Sequence, residues 1–181
     1  MVIEETYLSG CFVITPKVFE DERGYFFESF NQKTFETETG IKINFVQDNQ
    51  SKSSKGVLRG LHFQKNEHAQ AKLVQVIKGK VLDVCVDIRK ESPTFGKHFS
   101  LILDDIDRKQ LYIPRGFAHG FVVLEDNTIF CYKCDNFYNK EAESGIIFND
   151  EDLKIDWGFP KEILLISQKD FLLPSFKELN F

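Results

Sequence analysis

The sequence predicts a mainly β protein, most simply a jelly-roll β-sandwich or barrel with one short helix near its N-terminus. Short runs of β-branched and aromatic residues recur along the chain, with turn-forming residues between them. One segment alone, NQKTFETETG at residues 31–40, has both clear start and clear stop residues of a helix. At 181 residues, 42% of them hydrophobic, the chain is most simply one domain, 1–181, with a substantial core.

The N-terminal part combines short strands with the helix. Strands are predicted at residues 12–14, 25–29 and 44–47, where apolar and aromatic residues lie between turn-forming ones. The helix is predicted between Asn31, a good N-cap, and Gly40, a good C-terminal stop.

The middle of the chain is predicted to be almost entirely strand. The run LVQVIKGKVLDVCVDI, residues 73–88, has the pattern of a β-hairpin whose turn is centred on Gly79. In its second arm, Asp83 shares one face with Cys85 and Asp87, while apolar residues occupy the other face. The C-terminal third is predicted to form short helical pieces bounded by two prolines, Pro160 and Pro174. Further strands are predicted at residues 57–63, 99–103, 111–113, 120–124, 129–134 and 145–148.

Composition excludes several classes of protein. A formal net charge of -5 and a pI near 5.4 argue against a nucleic-acid-binding protein, which needs a basic surface. The N-terminus has no basic segment followed by a long apolar run, so no signal peptide is expected. No stretch approaches the roughly 18 consecutive apolar residues of a membrane span. Four cysteines are too few and too irregular for a disulfide scaffold, and we expect a cytoplasmic protein.

Two of these cysteines form a C-x-x-C pattern within TIFCYKC, residues 128–134, which reads as a strand. Residues three apart in a regular strand point to opposite faces, so the sulfur atoms of Cys131 and Cys134 are expected to diverge. Two buried cysteines are therefore expected here, and neither a zinc site nor a redox pair.

Two histidine-containing motifs indicate a functional site. IPRGFAHGF, residues 113–121, places His119 among glycines and large apolar residues, and GVLRGLHFQ, residues 56–64, places His62 in similar surroundings. Since the chain has only four histidines, the two motifs indicate polar groups set into an apolar, closed pocket.

Seven strings occur in order along the chain, and together they carry a family resemblance: DERGYFFESFNQ, FVQDNQS, GVLRGLHFQ, HAQAKLVQVIKG, DIRKESPTFGK, IPRGFAHGFVVL and IDWGFP. Over about residues 4–174, the chain resembles the dTDP-4-dehydrorhamnose 3,5-epimerases. The resemblance implies a cupin-like jelly roll that works as a homodimer without a metal or an organic cofactor. It also implies inversion of C3 and C5 of dTDP-4-dehydro-6-deoxy-D-glucose to give dTDP-4-dehydro-L-rhamnose, for dTDP-L-rhamnose and surface polysaccharide biosynthesis.

Inverting a carbon beside a ketone requires a base, an acid across the ring and a positive group near the enolate oxygen. His62 is the natural base, because an unperturbed imidazole, with a pKa of about 6.5, is largely unprotonated at neutral pH. The resemblance implies that Asp170 orients this ring. It also implies that Tyr132, as a phenol, is the opposing acid and that Lys72 lies near the C4 oxygen of the sugar.

Eight further residues match substrate-binding positions of the family: Arg23, Glu28, Gln47, Asn49, Arg59, His119, Glu143 and Lys169. An arginine suits a diphosphate, because the guanidinium group pairs with two oxygens at once. Strict strand alternation would put Arg59 and His62 on opposite faces. Either Gly60 bends the strand, or Arg59 serves the site of a neighbouring subunit.

Three alternatives stand beside this reading. A single-carbon epimerase of a related nucleotide-linked 4-keto sugar would share the same motifs. A metal-dependent cupin dioxygenase or isomerase fits the P-x-G-x-x-H pattern at residues 114–119, but its usual His-x-His pair is absent at His62-Phe63-Gln64. A sugar-binding module or a structural jelly roll without catalysis is the third. The family commonly has tyrosine where this chain has Phe137, and this difference bears on substrate specificity, not on the type of reaction.

Overall fold

The computed structural model describes residues 1–179. Within that range the chain forms strands β1 to β14, two short α-helices and three single turns of 3-10 helix (Asn66–His68, Lys161–Ile163 and Phe176–Glu178). The strands are β1 Val2–Glu5, β2 Phe12–Thr15, β3 Phe19–Asp21, β4 Gly24–Phe26, β5 Gln47–Ser53, β6 Val57–Gln64, β7 Lys72–Lys78, β8 Lys80–Asp87, β9 His98–Asp104, β10 Gln110–Ile113, β11 Phe117–Val123, β12 Thr128–Cys134, β13 Glu143–Gly145 and β14 Leu165–Ile166. The helices are α1 Gln32–Thr39 and α2 Gln168–Phe171.

Two packed sheets form the body of the protein. Sheet A has the strand order β1-β2-β10-β7-β12-β5, and sheet B has the order β13-β6-β11-β8-β9. The short strand β14 joins sheet B beside β6 in the parallel direction, whereas the main strands pair antiparallel. Strands β3 and β4 form a separate two-stranded hairpin. The predicted jelly-roll sandwich is confirmed.

Apolar side chains form three layers around these sheets. The central layer lies between the sheets and includes Val74 and Phe130 of sheet A with Phe121 of sheet B. The outer face of sheet A is covered by α1, whose Phe35 is buried. The outer face of sheet B is covered by the C-terminal segment, through residues such as Trp157. Sheet B is therefore buried on both faces. This explains why its strands contain runs of consecutive apolar residues and not only alternating ones.

The N-terminal helix has the predicted caps. The side-chain oxygen of Asn31 accepts a hydrogen bond from the Thr34 backbone N–H at 3.0 Å. Gly40 ends the helix with a φ of 72°, in the left-handed region that favours glycine. The helix prediction is confirmed, and so are the short helical pieces predicted for the C-terminal third.

The hairpin predicted around Gly79 is wrong. β7 pairs with β10 and β12 in sheet A, whereas β8 pairs with β9 and β11 in sheet B. Gly79, at a φ of 84° and packed against Thr128, turns the chain from one sheet into the other. Both strands contribute apolar side chains to the layer between the sheets. Two strands of a hairpin would show the same apolar pattern, so the sequence did not reveal that β7 and β8 belong to different sheets.

Several predicted strand boundaries also need correction. Strand β5, Gln47–Ser53, begins where the predicted strand 44–47 ends, because its inward-facing residues are polar and gave no apolar signal. The predicted strand 145–148 overlaps Glu143–Gly145 by one residue, and 25–29 shortens to Gly24–Phe26. The remaining predicted strands lie within one residue of those observed or are extended by the structure.

Within residues 1–179, no helix has both the length and the apolar character that crossing a membrane requires. Of the two cysteines of the C-x-x-C pattern, which were both predicted to be buried, only Cys134 is buried. Cys134 is buried towards the layer between the sheets, while Cys131 lies partly exposed beside Gln50, and both thiols are free.

Candidate active site

A cavity of about 550 Å³ opens between the two sheets. β5, β7 and β12 of sheet A form one wall, and β6 and β11 of sheet B form the other. The segment around α2 closes one side through Ser167 and Asp170. A smaller pocket of about 260 Å³ adjoins the cavity and shares Asn49, His62, Lys72 and Tyr132 with it.

A histidine–aspartate pair lies on the sheet B wall. His62 Nε2 is 2.7 Å from Asp170 Oδ1, although the two residues are 108 positions apart in the chain. Asp170 is held in turn, because its other oxygen accepts a hydrogen bond from the Gly60 N–H at 3.3 Å. Burial alone would raise the pKa of Asp170, but the hydrogen bonds from His62 and Gly60 lower it below the ordinary value. The pair thus consists of an ionised carboxylate and an imidazole whose Nδ1 remains available to the cavity.

A bulge in β6 places Arg59 and His62 on the same wall. His62 is opposite His119 in the register with β11, whereas Arg59 is opposite Phe121, so two residues of β6 face one residue of β11. The extra residue shifts the alternation by one position, and both side chains therefore line the cavity. Gly60 bends the strand, which is one of the two possibilities that the sequence left open. The Gly60–Leu61 peptide bond is cis.

The opposite wall carries a phenol and an ammonium group. Tyr132 of β12 and Lys72 of β7 both point between the sheets, and Lys72 Nζ lies 5.8 Å from the centre of the Tyr132 ring. Burial raises the pKa of the Tyr132 phenol, which therefore remains protonated at neutral pH. Burial lowers the pKa of Lys72, while the nearby Cys134, Asp83 and Glu143 act in the opposite direction.

A second histidine–aspartate pair lies deeper in the same cavity. His119 Nε2 is 2.9 Å from Oδ2 of Asp83, and both side chains are buried. The His119 ring is nearly parallel to the ring of Phe130, at an angle of 19° and a centroid distance of 6.2 Å. Burial is the main cause that lowers the pKa of His119; Asp83 raises it, and the charges of Lys72 and His62 lower it further.

Polar residues of β5 extend the sheet A wall from the main cavity into the adjoining pocket. Gln47 donates a hydrogen bond from Nε2 to Oδ1 of Asn49 at 3.0 Å, and both side chains are half-buried. On the facing wall, Arg59 Nη2 donates to Ser53 Oγ at 3.3 Å. Gln47 lines the adjoining pocket, whereas Arg59 lines the main cavity and bonds to the far end of β5. The two ends of β5 therefore offer amide groups and a guanidinium group, which suit a base and a diphosphate.

A small ionic network borders the adjoining pocket. Glu143 Oε2 is 2.5 Å from Lys169 Nζ and accepts a hydrogen bond from Tyr138 Oη at 2.8 Å. Burial alone would raise the pKa of Glu143, but its bonds to Lys169 and Tyr138 lower it overall. Glu143 and Lys169 thus reach the site from two different segments of the chain.

Two of the predicted binding residues lie elsewhere. Arg23 is in the β3–β4 hairpin, where it pairs with Asp21 and has a side chain that is 85% exposed. Glu28 accepts a hydrogen bond from Asn31 Nδ2 at 3.1 Å at the start of α1. Neither residue lines the cavity of its own chain. The other ten predicted site residues line the cavity or the adjoining pocket.

Sequence reasoning missed Asp83 as a member of the site. The available signal was its position inside VLDVCVD, where a carboxylate in an otherwise apolar strand needs a buried partner. Ser51, Leu165 and Ser167 also line the cavity and were not predicted. Among residues 1–179, the structure contains no cluster of three or more histidine, cysteine, aspartate or glutamate side chains with the geometry to hold a metal ion.

An imidazole on one wall and a phenol on the other can exchange protons with opposite faces of a bound ring. The fold and this cavity define a class, that of a jelly-roll isomerase. The model of the family described as dTDP-4-dehydrorhamnose 3,5-epimerase matches residues 5–178. The chain belongs to this family, and the resemblance found in the sequence is confirmed.

Similar proteins span the whole chain. The dTDP-4-dehydrorhamnose 3,5-epimerase of Shigella flexneri is 50% identical over 181 residues, covering 100% of this chain and 99% of its own. The crystal structure of the enzyme of that name from Elizabethkingia anophelis is 56% identical, with a TM-score of 0.96 and coverage of 100% and 99%. A dTDP-6-deoxy-D-glucose-3,5-epimerase from Legionella pneumophila, solved in complex with dTDP-4-keto-L-rhamnose, is 45% identical with a TM-score of 0.94, covering 99% of this chain and 94% of its own.

Proposed function

We propose that this chain epimerises dTDP-4-dehydro-6-deoxy-D-glucose at C3 and C5 to dTDP-4-dehydro-L-rhamnose, with residues 1–181 acting as one catalytic domain. The observation that carries the proposal is the position of His62 and Tyr132 on facing walls of one cavity. The complex of the Legionella pneumophila relative with dTDP-4-keto-L-rhamnose supports this choice of substrate. The reaction needs no metal or organic cofactor, because the chain supplies the base, the acid and a cation.

The inversion consists of one proton removal and one proton return at each carbon. Since Nε2 of His62 is bound to Asp170, Nδ1 takes the proton from the carbon beside the C4 ketone. The electron pair of the broken C–H bond forms a C=C bond, and negative charge develops on the C4 oxygen. Lys72 stabilises this enolate, and the Tyr132 hydroxyl then gives a proton to the opposite face of the same carbon. Exchange with solvent returns both side chains to their starting protonation states.

The remaining site residues hold the nucleotide and the sugar. Arg59 binds the diphosphate, and the amides of Gln47 and Asn49 contact the nucleotide part of the substrate. Glu143 and Lys169 bind the substrate beside the adjoining pocket, and His119 binds the sugar from the depth of the cavity.

The active form is a homodimer in which Arg23 and Glu28 serve the site of the second copy. The hairpin that carries Arg23 is unusually apolar for an exposed segment, since Phe19, Tyr25 and Phe26 are 54%, 57% and 67% exposed. A second copy seated on this hairpin would bury these rings and bring Arg23 to a diphosphate that it does not reach in its own chain.

Subunit mixing tests this arrangement. Arg23→Ala and His62→Ala are each expected to be weakly active or inactive alone. After the two are unfolded together and refolded, half of the dimers are mixed and each has one intact site, so about one quarter of the wild-type activity should return. If Arg23 acts within its own chain, each site of a mixed dimer lacks one group and no activity returns.

The cytoplasm is the proposed location, and the product would enter dTDP-L-rhamnose and surface polysaccharide biosynthesis. All four cysteines are free thiols, which suits a reducing compartment.

The experiment that tests the activity is proton NMR of dTDP-4-dehydro-6-deoxy-D-glucose with the protein in deuterated water. Deuterium at both C3 and C5, in the presence of a chelator, supports the proposal. Deuterium at one carbon would indicate a single-carbon epimerase. Exchange that requires an added metal would favour a metal-dependent enzyme. His62→Ala is the control variant and should lose exchange at both carbons, because the base begins each inversion.

A further inference from the structure

The Asp83 carboxylate is one of the most deeply buried charged groups of the protein. Its side chain is fully buried on β8, at a position where the strand faces the layer between the sheets. Oδ2 bonds to His119 Nε2 at 2.9 Å, whereas Oδ1 has no hydrogen-bond partner among residues 1–179. A carboxylate buried with one oxygen unpaired is costly, so its single bond to His119 needs an explanation.

This bond determines which nitrogen of His119 carries the proton. A carboxylate oxygen accepts hydrogen bonds, so the ring is the donor of this bond and the hydrogen of the neutral imidazole belongs on Nε2. Nδ1 is then left with a free lone pair, and no group within residues 1–179 forms a hydrogen bond with it. Because burial and the charge of Lys72 oppose protonation of His119, the ring remains neutral and Nδ1 remains an acceptor.

The ring cannot easily turn away from this arrangement. Phe130 is stacked against one side of the imidazole, and Phe121 lies within 6.4 Å of its centre. His119 nevertheless lines the cavity. The second pair thus differs from the His62–Asp170 pair, in which the imidazole side chain is 30% exposed and the carboxylate is also bound by a backbone N–H.

We infer that Asp83 is a positioning residue, which holds His119 in the tautomer whose Nδ1 accepts a hydrogen bond from a hydroxyl group of the sugar. A site built in this way selects substrates that carry a hydroxyl at the matching position, because without it the lone pair of Nδ1 would be buried unpaired. The role in substrate binding rests on the proposed function, whereas the tautomer is a property of the free protein.

The tautomer can be measured without substrate. Long-range proton–nitrogen correlation NMR at about pH 8 distinguishes a protonated ring nitrogen from an unprotonated one. His119→Asn, by removing one set of signals, assigns the ring among the four histidines. We expect a single form with the hydrogen on Nε2. A ring with its hydrogen on Nδ1, or a mixture of both forms, would overturn the inference, and this result needs no folded Asp83 variant.

Asp83→Asn tests the role in binding. Since no group among the described residues bonds to Oδ1, the amide can present either its oxygen or its nitrogen to the ring, so the form with hydrogen on Nδ1 should become visible. Loss of one hydrogen bond should raise KM about tenfold while kcat changes by less than about twofold. An unchanged KM, or equal losses in kcat and kcat/KM, would contradict the inference.

Two controls separate positioning from stability. Asp87→Asn removes another fully buried carboxylate of the same strand, outside the cavity, and should lower stability without changing KM or the His119 spectrum. In a His119→Asn background, Asp83→Asn should have no further effect on KM, because it acts through His119. If the two substitutions change KM additively, Asp83 does not act through His119. If the wild-type protein turns over no 4-keto sugar, the proposed function fails, whereas the NMR result still decides the tautomer.

Discussion

Gly60 lies against the backbone of β11, and the bulge that contains it shapes the active-site wall. A Cβ atom at Gly60 would lie 2.6 Å from Gly120 Cα and 2.7 Å from the His119 carbonyl oxygen. The residue has a φ of 119°, which side chains rarely adopt. Gly60→Ala is therefore expected to destabilise the protein for two separate reasons.

Gly24→Ala is the matched control, because Gly24 has a φ of 123° but no atom within 4 Å of the added Cβ. Both variants carry backbone strain of about 1–3 kcal/mol. Only Gly60→Ala adds a clash with rigid backbone, for about 1–3 kcal/mol more. The free energy of unfolding should thus fall by about 2–6 kcal/mol for Gly60→Ala and by about 1–3 kcal/mol for Gly24→Ala.

Urea unfolding at one protein concentration measures both values, and the single tryptophan, Trp157, provides a buried fluorescence probe. Gly60→Ala should also lower kcat/KM, because the bulge that brings Arg59 and His62 to one wall is disturbed. Equal losses of stability in the two variants would refute the close approach of the strands. Unchanged kcat/KM in a folded Gly60→Ala variant would refute its role in the site.

Three further outcomes are expected. Tyr132→Phe should lower the rate of product formation about 10²–10⁴-fold. Some deuterium exchange should persist, since His62 removes the proton from carbon without the phenol. Product formation at the wild-type rate would exclude Tyr132 as the acid. Lys72→Met should slow exchange itself about 10²–10³-fold, because the enolate loses its cation, and NMR exchange rates equal to wild type would contradict this. Burial alone would raise the pKa of Asp87, but hydrogen bonds from its neighbours lower it from 3.8 to about 2. Because this pKa is depressed, the ionised Asp87 stabilises the fold above about pH 4 by about 2 kcal/mol, and this stabilisation is lost as the pH falls towards 2. Unfolding free energies at several pH values should therefore decline more steeply for wild type than for Asp87→Asn, and parallel curves would contradict the low pKa.

The helix and many strands were predictable because their signals are local. Asn31 and Gly40 act on the backbone groups of their own helix, so the caps could be read directly from neighbouring residues. Strand β5 was misplaced because its inward residues, such as Asn49, are polar and face a cavity rather than a core. Polar residues on the inward face of a strand thus indicate that the strand lines the site.

The sequence by itself determined the β-rich fold class, the family and ten of the residues that line the cavity and its adjoining pocket, because these depend on residue types and on motif order. Only the tertiary structure decided that β7 and β8 belong to different sheets, that a bulge unites Arg59 with His62, and that Asp83 holds His119. The physical reason is the range of each interaction. Side-chain alternation is set by adjacent residues, whereas the partner of a strand or of a buried carboxylate is chosen by packing between segments far apart in the chain.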